Sequence, residues 1–230
     1  MKDETSRHPA AVLAVLAVLT ALLTAAMLAA RVSSYGSLVL PLTVAASTGF
    51  LLMALAGRCW STWYGRFIAL GLAGCWVGDV VGPANFMAGV AAFLAAHLGF
   101  IIAFLCHGPR RNNLVRGLLV LLPSALLAAW LLPHVSAGDQ PLVVAYLVVI
   151  SVMVALAAGA SGSPGGRWAL AAAIIFYVSD IFVARWRYVA PGPLNMFLCY
   201  PLYYTACVLF AASIFASNPP PSPANRGSGP

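Results

Sequence analysis

Charge is what this chain has least of. Charged side chains are 7% of its 230 residues, against 62% hydrophobic, and mean hydropathy is +0.94. A soluble domain carries roughly a quarter charged residues, so a water-soluble globular protein is excluded. Acids are the scarcest of all: Asp3, Glu4, Asp79, Asp139 and Asp180. The net charge of +7 is no nucleic-acid footprint, because the basic residues are scattered singly between apolar runs. Paired cysteine spacing is also missing. Cys59, Cys75, Cys106, Cys199 and Cys207 all lie in or beside apolar runs, where cysteine is usually a small hydrophobe, so neither a disulfide framework nor a metal site is expected. No Gly-x-Ser-x-Gly elbow, P-loop, HExxH pair or Ser-His-Asp arrangement is present. His97, His107 and His134 lack ligand spacing, and no metal or organic cofactor is expected.

What the chain does have is apolar length. Segments of about 20 apolar residues cross a bilayer, and eight are expected, at roughly 10–30, 36–56, 66–82, 86–106, 114–133, 141–160, 167–184 and 196–216. The fold class is therefore all-α: a polytopic membrane helix bundle forming a single transmembrane domain over 1–216. The first run follows Lys2 and Arg7 but exceeds the 7–15 residues of a signal-peptide core, so it reads as a span. The tail over 217–230, mostly Pro, Ser, Asn and Gly, has no apolar face to bury and reads as disordered.

Orientation follows from Lys and Arg in alternate loops. Lys2, Arg7, Arg58, Arg66, Arg110, Arg111, Arg116, Arg167 and Arg226 fall on one side, and Arg31, Arg185 and Arg187 on the other. Both termini should then face the cytoplasm, of a bacterial inner membrane by expectation. Trp60, Trp63, Trp130, Trp168 and Trp186 fall at span ends, as an interfacial belt requires.

Two of the acids break the apolar pattern. Asp79 follows Trp76-Val77-Gly78, and Asp180 follows Tyr177-Val178-Ser179. Each precedes a Gly-Pro-x-Asn stretch, Gly82 to Asn85 and Gly192 to Asn195. The echo falls at the same place in each set of four spans. It suggests two parallel repeats, 10–106 and 114–216, related by an axis along the membrane normal. Both aspartates would then lie at similar depth, within about a turn of the outer ends of spans three and seven. The Gly74 to Gly78 small-xxx-small pattern would let another backbone approach beside Asp79.

An acid in hydrocarbon marks a functional site by default. Two carboxyls close together in a low dielectric do not both ionise easily, so one would keep its proton near neutrality. The bland alternative is a pair of interhelical hydrogen bonds. Asn85 and Asn195 are explained equally by helix capping and by substrate contact. His97, on a stripe with Phe86, Gly89, Phe93, Phe100 and Phe104, either satisfies an interhelical hydrogen bond or lines a pocket reached from Asp79. Tyr200, Tyr203 and Tyr204 open span eight on the aspartate side, as interface anchors or as a hydrogen bond to a carboxyl. Arg185 and Arg187, on that face, suit a phosphate headgroup or the lipid surface. Spans five and six contain almost nothing polar and read as scaffold.

At these residues the chain resembles the YhhN family of eight-span membrane proteins, the lysoplasmalogenases. The similar features are Gly78-Asp79, the run from Asn85-Phe86 through Gly89 to Phe93, His97, Phe176 through Ser179-Asp180, and Tyr203-Tyr204. Leu40 before Pro41 departs from the family's usual lysine, and Val80-Val81 departs after Asp79. The resemblance implies hydrolysis of the vinyl ether bond of a lysoplasmalogen by water, giving a long-chain aldehyde and a glycerophospho-alcohol. It implies Asp79 and Asp180 as catalytic, with Asn85, His97, Ser179, Asn195, Tyr203 and Tyr204 lining the substrate site. The partners expected are a lysophospholipid, water and the bilayer. The rival reading is a proton-coupled small-solute or lipid transporter, since parallel repeats with buried acids also serve carriers.

Overall fold

The eight apolar runs are eight helical spans in the computed structural model, which describes residues 4–218, with side chains from residue 10 onward. Hydrocarbon leaves no water for backbone N–H and C=O groups, so each span must satisfy them within itself. Among the described residues there is no strand. The helices are α1 (Glu4–Val32), α2 (Val39–Ala56), α3 (Trp63–Val81), α4 (Phe86–Cys106), α5 (Arg111–Gly117), α6 (Leu121–Leu131), α7 (Gln140–Ala160), α8 (Gly166–Ala184) and α9 (Pro193–Ser217). The fifth span, Arg111–His134, is built of both α5 and α6. Pro123 lies in the first turn of α6, where its missing N–H is tolerated, and a 3₁₀ turn, Leu118–Val120, joins the two pieces.

Span ends fall within three residues of the expected positions in seven cases. The seventh runs on from Ala184 through a π-helical turn, Arg185–Val189. Asp180 therefore lies further inside its span than the expected single turn, whereas Asp79 is two residues from the end of α3. The expected tail falls, from residue 219 on, outside the described residues, as do Lys2 and Arg226 of the charge count. Asn218 is described: its amide donates to the carbonyls of Gly57 and Arg58, both at 3.3 Å.

Packing is closest between α3 and α4, α8 and α9, and α1 and α2. The Gly74–Gly78 pattern explains the first pair. A Cβ on Gly74 would stand 3.0 Å from the Ala96 methyl, and one on Gly78 would stand 2.7 Å from the Phe93 ring. Without those side chains α4 lies directly on α3, and the Phe93 ring is carried against Gly78, next to Asp79. The same neighbours recur in each half. α2 packs on α3 and α7 on α8, while across the halves α4 meets α7 and α9 meets α2. At the centre, Phe100, Phe104, Phe176 and Phe210 are fully buried, with Phe100 stacked on Phe210 at 4.1 Å.

Candidate active site

Asp79 is carried on α3 and is 8% exposed. Its Oδ2 accepts hydrogen bonds from Ser47 Oγ on α2, from Tyr203 Oη at 2.9 Å and from Tyr204 Oη at 3.4 Å, both on α9. Ser47 also lies within reach of the Thr43 carbonyl, at 3.0 Å, and of Tyr204 Oη, at 3.3 Å. Tyr200, one turn before Tyr204, carries the Arg31 guanidinium over its ring at 4.7 Å. Asp79 is within electrostatic reach of that cation.

Asp180 is carried on α8, with its side chain 18% exposed. Its Oδ2 accepts from Tyr146 Oη on α7 at 2.9 Å and faces His97 Nε2 on α4 at 3.7 Å. The two settings correspond. Each carboxyl takes a hydroxyl from the preceding span of its own half, Ser47 or Tyr146. Each takes a second contact from the last span of the other half, Tyr203 and Tyr204 or His97. The residues three before them each bond a hydroxyl of their own half, Trp76 one on the second span and Tyr177 one on the fifth. Trp76 Nε1 donates to Thr48 Oγ1 at 3.2 Å, and Tyr177 Oη pairs with Ser124 Oγ at 2.9 Å.

Among the described residues, neither carboxyl has the other as a hydrogen-bond partner. They are joined through shared walls. The Tyr203 ring meets Phe93 at 5.7 Å and Phe176 at 5.5 Å, and Phe176 meets the His97 ring at 4.8 Å. The Cys199 thiol, 6% exposed, is within electrostatic reach of both acids.

The remaining expected site residues divide. His97, Tyr203 and Tyr204 contact a carboxyl, as described. Ser179 is fully buried and donates to the Phe176 carbonyl at 2.7 Å. Asn85 is exposed and caps α4, accepting from Ala88 N at 3.1 Å. Asn195 is not a cap. Gly192 takes that position, and Asn195 lies in the first turn of α9 because Pro193 starts the helix earlier than expected. Fully buried there, it accepts from Arg185 Nη1 at 2.6 Å and donates to the Ala190 carbonyl at 2.7 Å. Arg187 covers the Phe86 ring at 4.7 Å. The π-helical turn aims Arg185 back at the start of α9.

Span six corrects its reading as scaffold. Tyr146 holds Asp180, and Ser151 Oγ pairs with Ser124 Oγ of span five at 2.7 Å. The signal available was a tyrosine inside an apolar run rather than at its interfacial end. Ser47 gave no such signal, since a serine among apolar residues is common in helices that bond back to their own carbonyls. Chemically, the region offers two carboxyls carried on apolar helices, three hydroxyls converging on one and a tyrosine hydroxyl and an imidazole beside the other. That combination suits proton transfer and stabilisation of a developing cation.

The YhhN family model matches residues 40–214, more than half of the chain. The chain belongs to the YhhN family. The match spans both aspartates and every side chain that contacts them. Among curated proteins, the chain is 31% identical over 141 residues to lysoplasmalogenase TMEM86A of Bos taurus, covering 59% of this chain and 58% of that protein. It is 33% identical over 144 residues to lysoplasmalogenase TMEM86B of Sus scrofa, covering 61% and 60%. The matched stretch thus spans less than two thirds of these relatives' length. No solved structure matches the chain.

Proposed function

We propose that this YhhN-family protein is a multi-pass membrane hydrolase that cleaves the vinyl ether bond of lysoplasmalogens. The products are a fatty aldehyde and glycerophosphoethanolamine or glycerophosphocholine. The observation that carries the reading is the pair of intramembrane aspartates, Asp79 and Asp180, each held by hydroxyls beside a common aromatic wall. The names of the two mammalian relatives supply the substrate class.

A vinyl ether is protonated at carbon and becomes an oxocarbenium ion, which water captures as a hemiacetal that collapses to aldehyde and alcohol. The reaction needs an acid that still holds a proton at neutral pH and a negative charge beside the cation. Two carboxyls in different settings serve both needs. General acid catalysis is worth typically 10²–10⁴-fold, and positioning and electrostatics supply the remainder. The lipid's single chain would lie along apolar helix faces, with its phosphate toward Arg31, Arg185 and Arg187. By span alternation these three end on the same side as Asp79. The Lys and Arg distribution supports cytoplasmic termini, with this edge on the opposite face.

The test uses detergent-solubilised protein and an alkenyl lysophospholipid. Hydrolysis releases aldehyde without a sealed membrane. A proton-coupled carrier makes none under those conditions, and absence of aldehyde from folded protein overturns the proposal.

A further inference from the structure

The two carboxyls have differently built hydrogen-bonding surroundings. His97 Nδ1 lies 2.6 Å from the Phe93 carbonyl oxygen. A carbonyl has no hydrogen to give, so Nδ1 carries one and donates it. The neutral ring is thereby fixed with a bare lone pair on Nε2. Nε2 is fully buried, has no hydrogen-bond partner among the described residues, and lies 3.7 Å from Asp180 Oδ2. An ionised Asp180 would set oxygen and nitrogen lone pairs against each other at a fully buried ring nitrogen. A protonated Asp180 would turn its O–H toward that lone pair, a small closing of the 3.7 Å gap short of a hydrogen bond, while the same oxygen accepts from Tyr146. The other arrangement, imidazolium and carboxylate, desolvates two charges where the neutral pair desolvates none.

Asp79 is dressed the other way. Ser47, Tyr203 and Tyr204 all converge on its Oδ2, the Tyr203 hydroxyl most closely of the two tyrosines at 2.9 Å, while Ser47 also has the Thr43 carbonyl within reach. Several donors on one oxygen favour a carboxylate.

We infer that Asp180 is the proton-bearing acid of the pair, that His97 is its positioning residue through Nε2, and that Asp79 is the standing carboxylate. The reaction assigned to them rests on the hydrolase reading; the protonation pattern does not. In that reaction the Asp180 proton passes to the vinyl carbon remote from oxygen, the C=C electron pair forming the new C–H bond. The oxygen-bearing carbon becomes oxocarbenium beside Asp79. Water then forms a C–O bond there and returns its proton to Asp180. As the hemiacetal collapses, its hydroxyl proton is lost and the departing glycerol oxygen gains one.

The experiment is infrared spectroscopy of the solubilised protein at neutral pH, reading the C=O stretch of a protonated carboxyl. The other acids, Asp3, Glu4 and Asp139, lie outside the expected apolar spans, so the background in this region is low. The wild type should show the band, D79N should keep it and D180N should lose it. H97N should shift it, because Asn can still donate to the Phe93 carbonyl but has no atom at the Nε2 position. If D180N does not fold, D180E should move the band. Loss of the band in D79N with retention in D180N, an unmoved band in H97N, or no band in the wild type overturns the inference. In turnover, H97N should lower kcat at least about 10²-fold with KM within about threefold. A merely structural histidine would leave the infrared band unmoved. Wild-type protein that shows the full infrared pattern but releases no aldehyde would refute the hydrolase reading and leave the proton assignment standing.

Discussion

Tyr203→Phe removes one oxygen and little else. The Tyr203 ring is packed by Phe93, Phe176 and Phe50 at centroid distances of 5.7, 5.5 and 6.5 Å. Phenylalanine keeps those contacts, so the fold should be retained. What disappears is a 2.9 Å hydroxyl donor to Asp79 Oδ2. A hydrogen bond to a charged group is worth about 1.5–3 kcal/mol. If that strength is used where the oxocarbenium forms, kcat should fall by about 10- to 160-fold at 1.36 kcal/mol per decade. Tyr204 offers the internal control. Its hydroxyl is 3.4 Å from the same oxygen and equally far from the Thr43 carbonyl, too long for a strong bond. Tyr204→Phe should therefore cost less than tenfold. Aldehyde release from solubilised protein at saturating substrate reads both variants. An unchanged kcat in Y203F, or a larger loss in Y204F than in Y203F, would refute the assignment of these hydroxyls to Asp79.

Gly78→Ala would place a methyl 2.7 Å from the Phe93 ring, and overpacking of this kind costs about 1–3 kcal/mol. Its thermal midpoint in detergent should fall, and its activity with it, because the Phe93 ring packs on Tyr203, which donates to Asp79. Tyr177→Phe, which breaks the Ser124–Tyr177 contact, should cost stability by about 0.6 kcal/mol, the mean for interhelical hydrogen bonds in membranes, with kcat unchanged within twofold. Arg31→Gln should raise KM for lysophospholipid about tenfold while leaving kcat near wild type. An equal loss in both parameters would separate Arg31 from headgroup binding. Reporters fused after residue 56 and after residue 32 should give cytoplasmic and external signals respectively, and the reverse would invert the topology.

The spans were legible because lipid imposes one requirement, about 20 apolar residues with internally bonded backbone, and composition reports it directly. The two aspartates were legible for the complementary reason, as charges in hydrocarbon. Their surroundings were harder. Tyr203 and Tyr204 carry the same letters whether they anchor at an interface or bind a carboxyl, and only the approach of α9 to α3 decides between the two. Ser47 and Tyr146 come from α2 and α7, and nothing local distinguishes them from other hydroxyls in apolar helices. The start of the last span lies three residues before its expected place, so Asn195 falls inside the first turn. Pro193 is pre-organised for the first helical turn, so the helix begins at the proline, and the asparagine turns back to Arg185.

The most direct measurement is aldehyde formation from an alkenyl lysophospholipid by folded D79N and D180N, beside wild type, in deuterated water. Wild-type product should carry one solvent deuterium on the carbon next to the aldehyde, and each variant should make no aldehyde above the uncatalysed rate. Turnover retained in both variants, or aldehyde free of deuterium, would contradict two intramembrane carboxyls dividing the work of protonation and charge stabilisation.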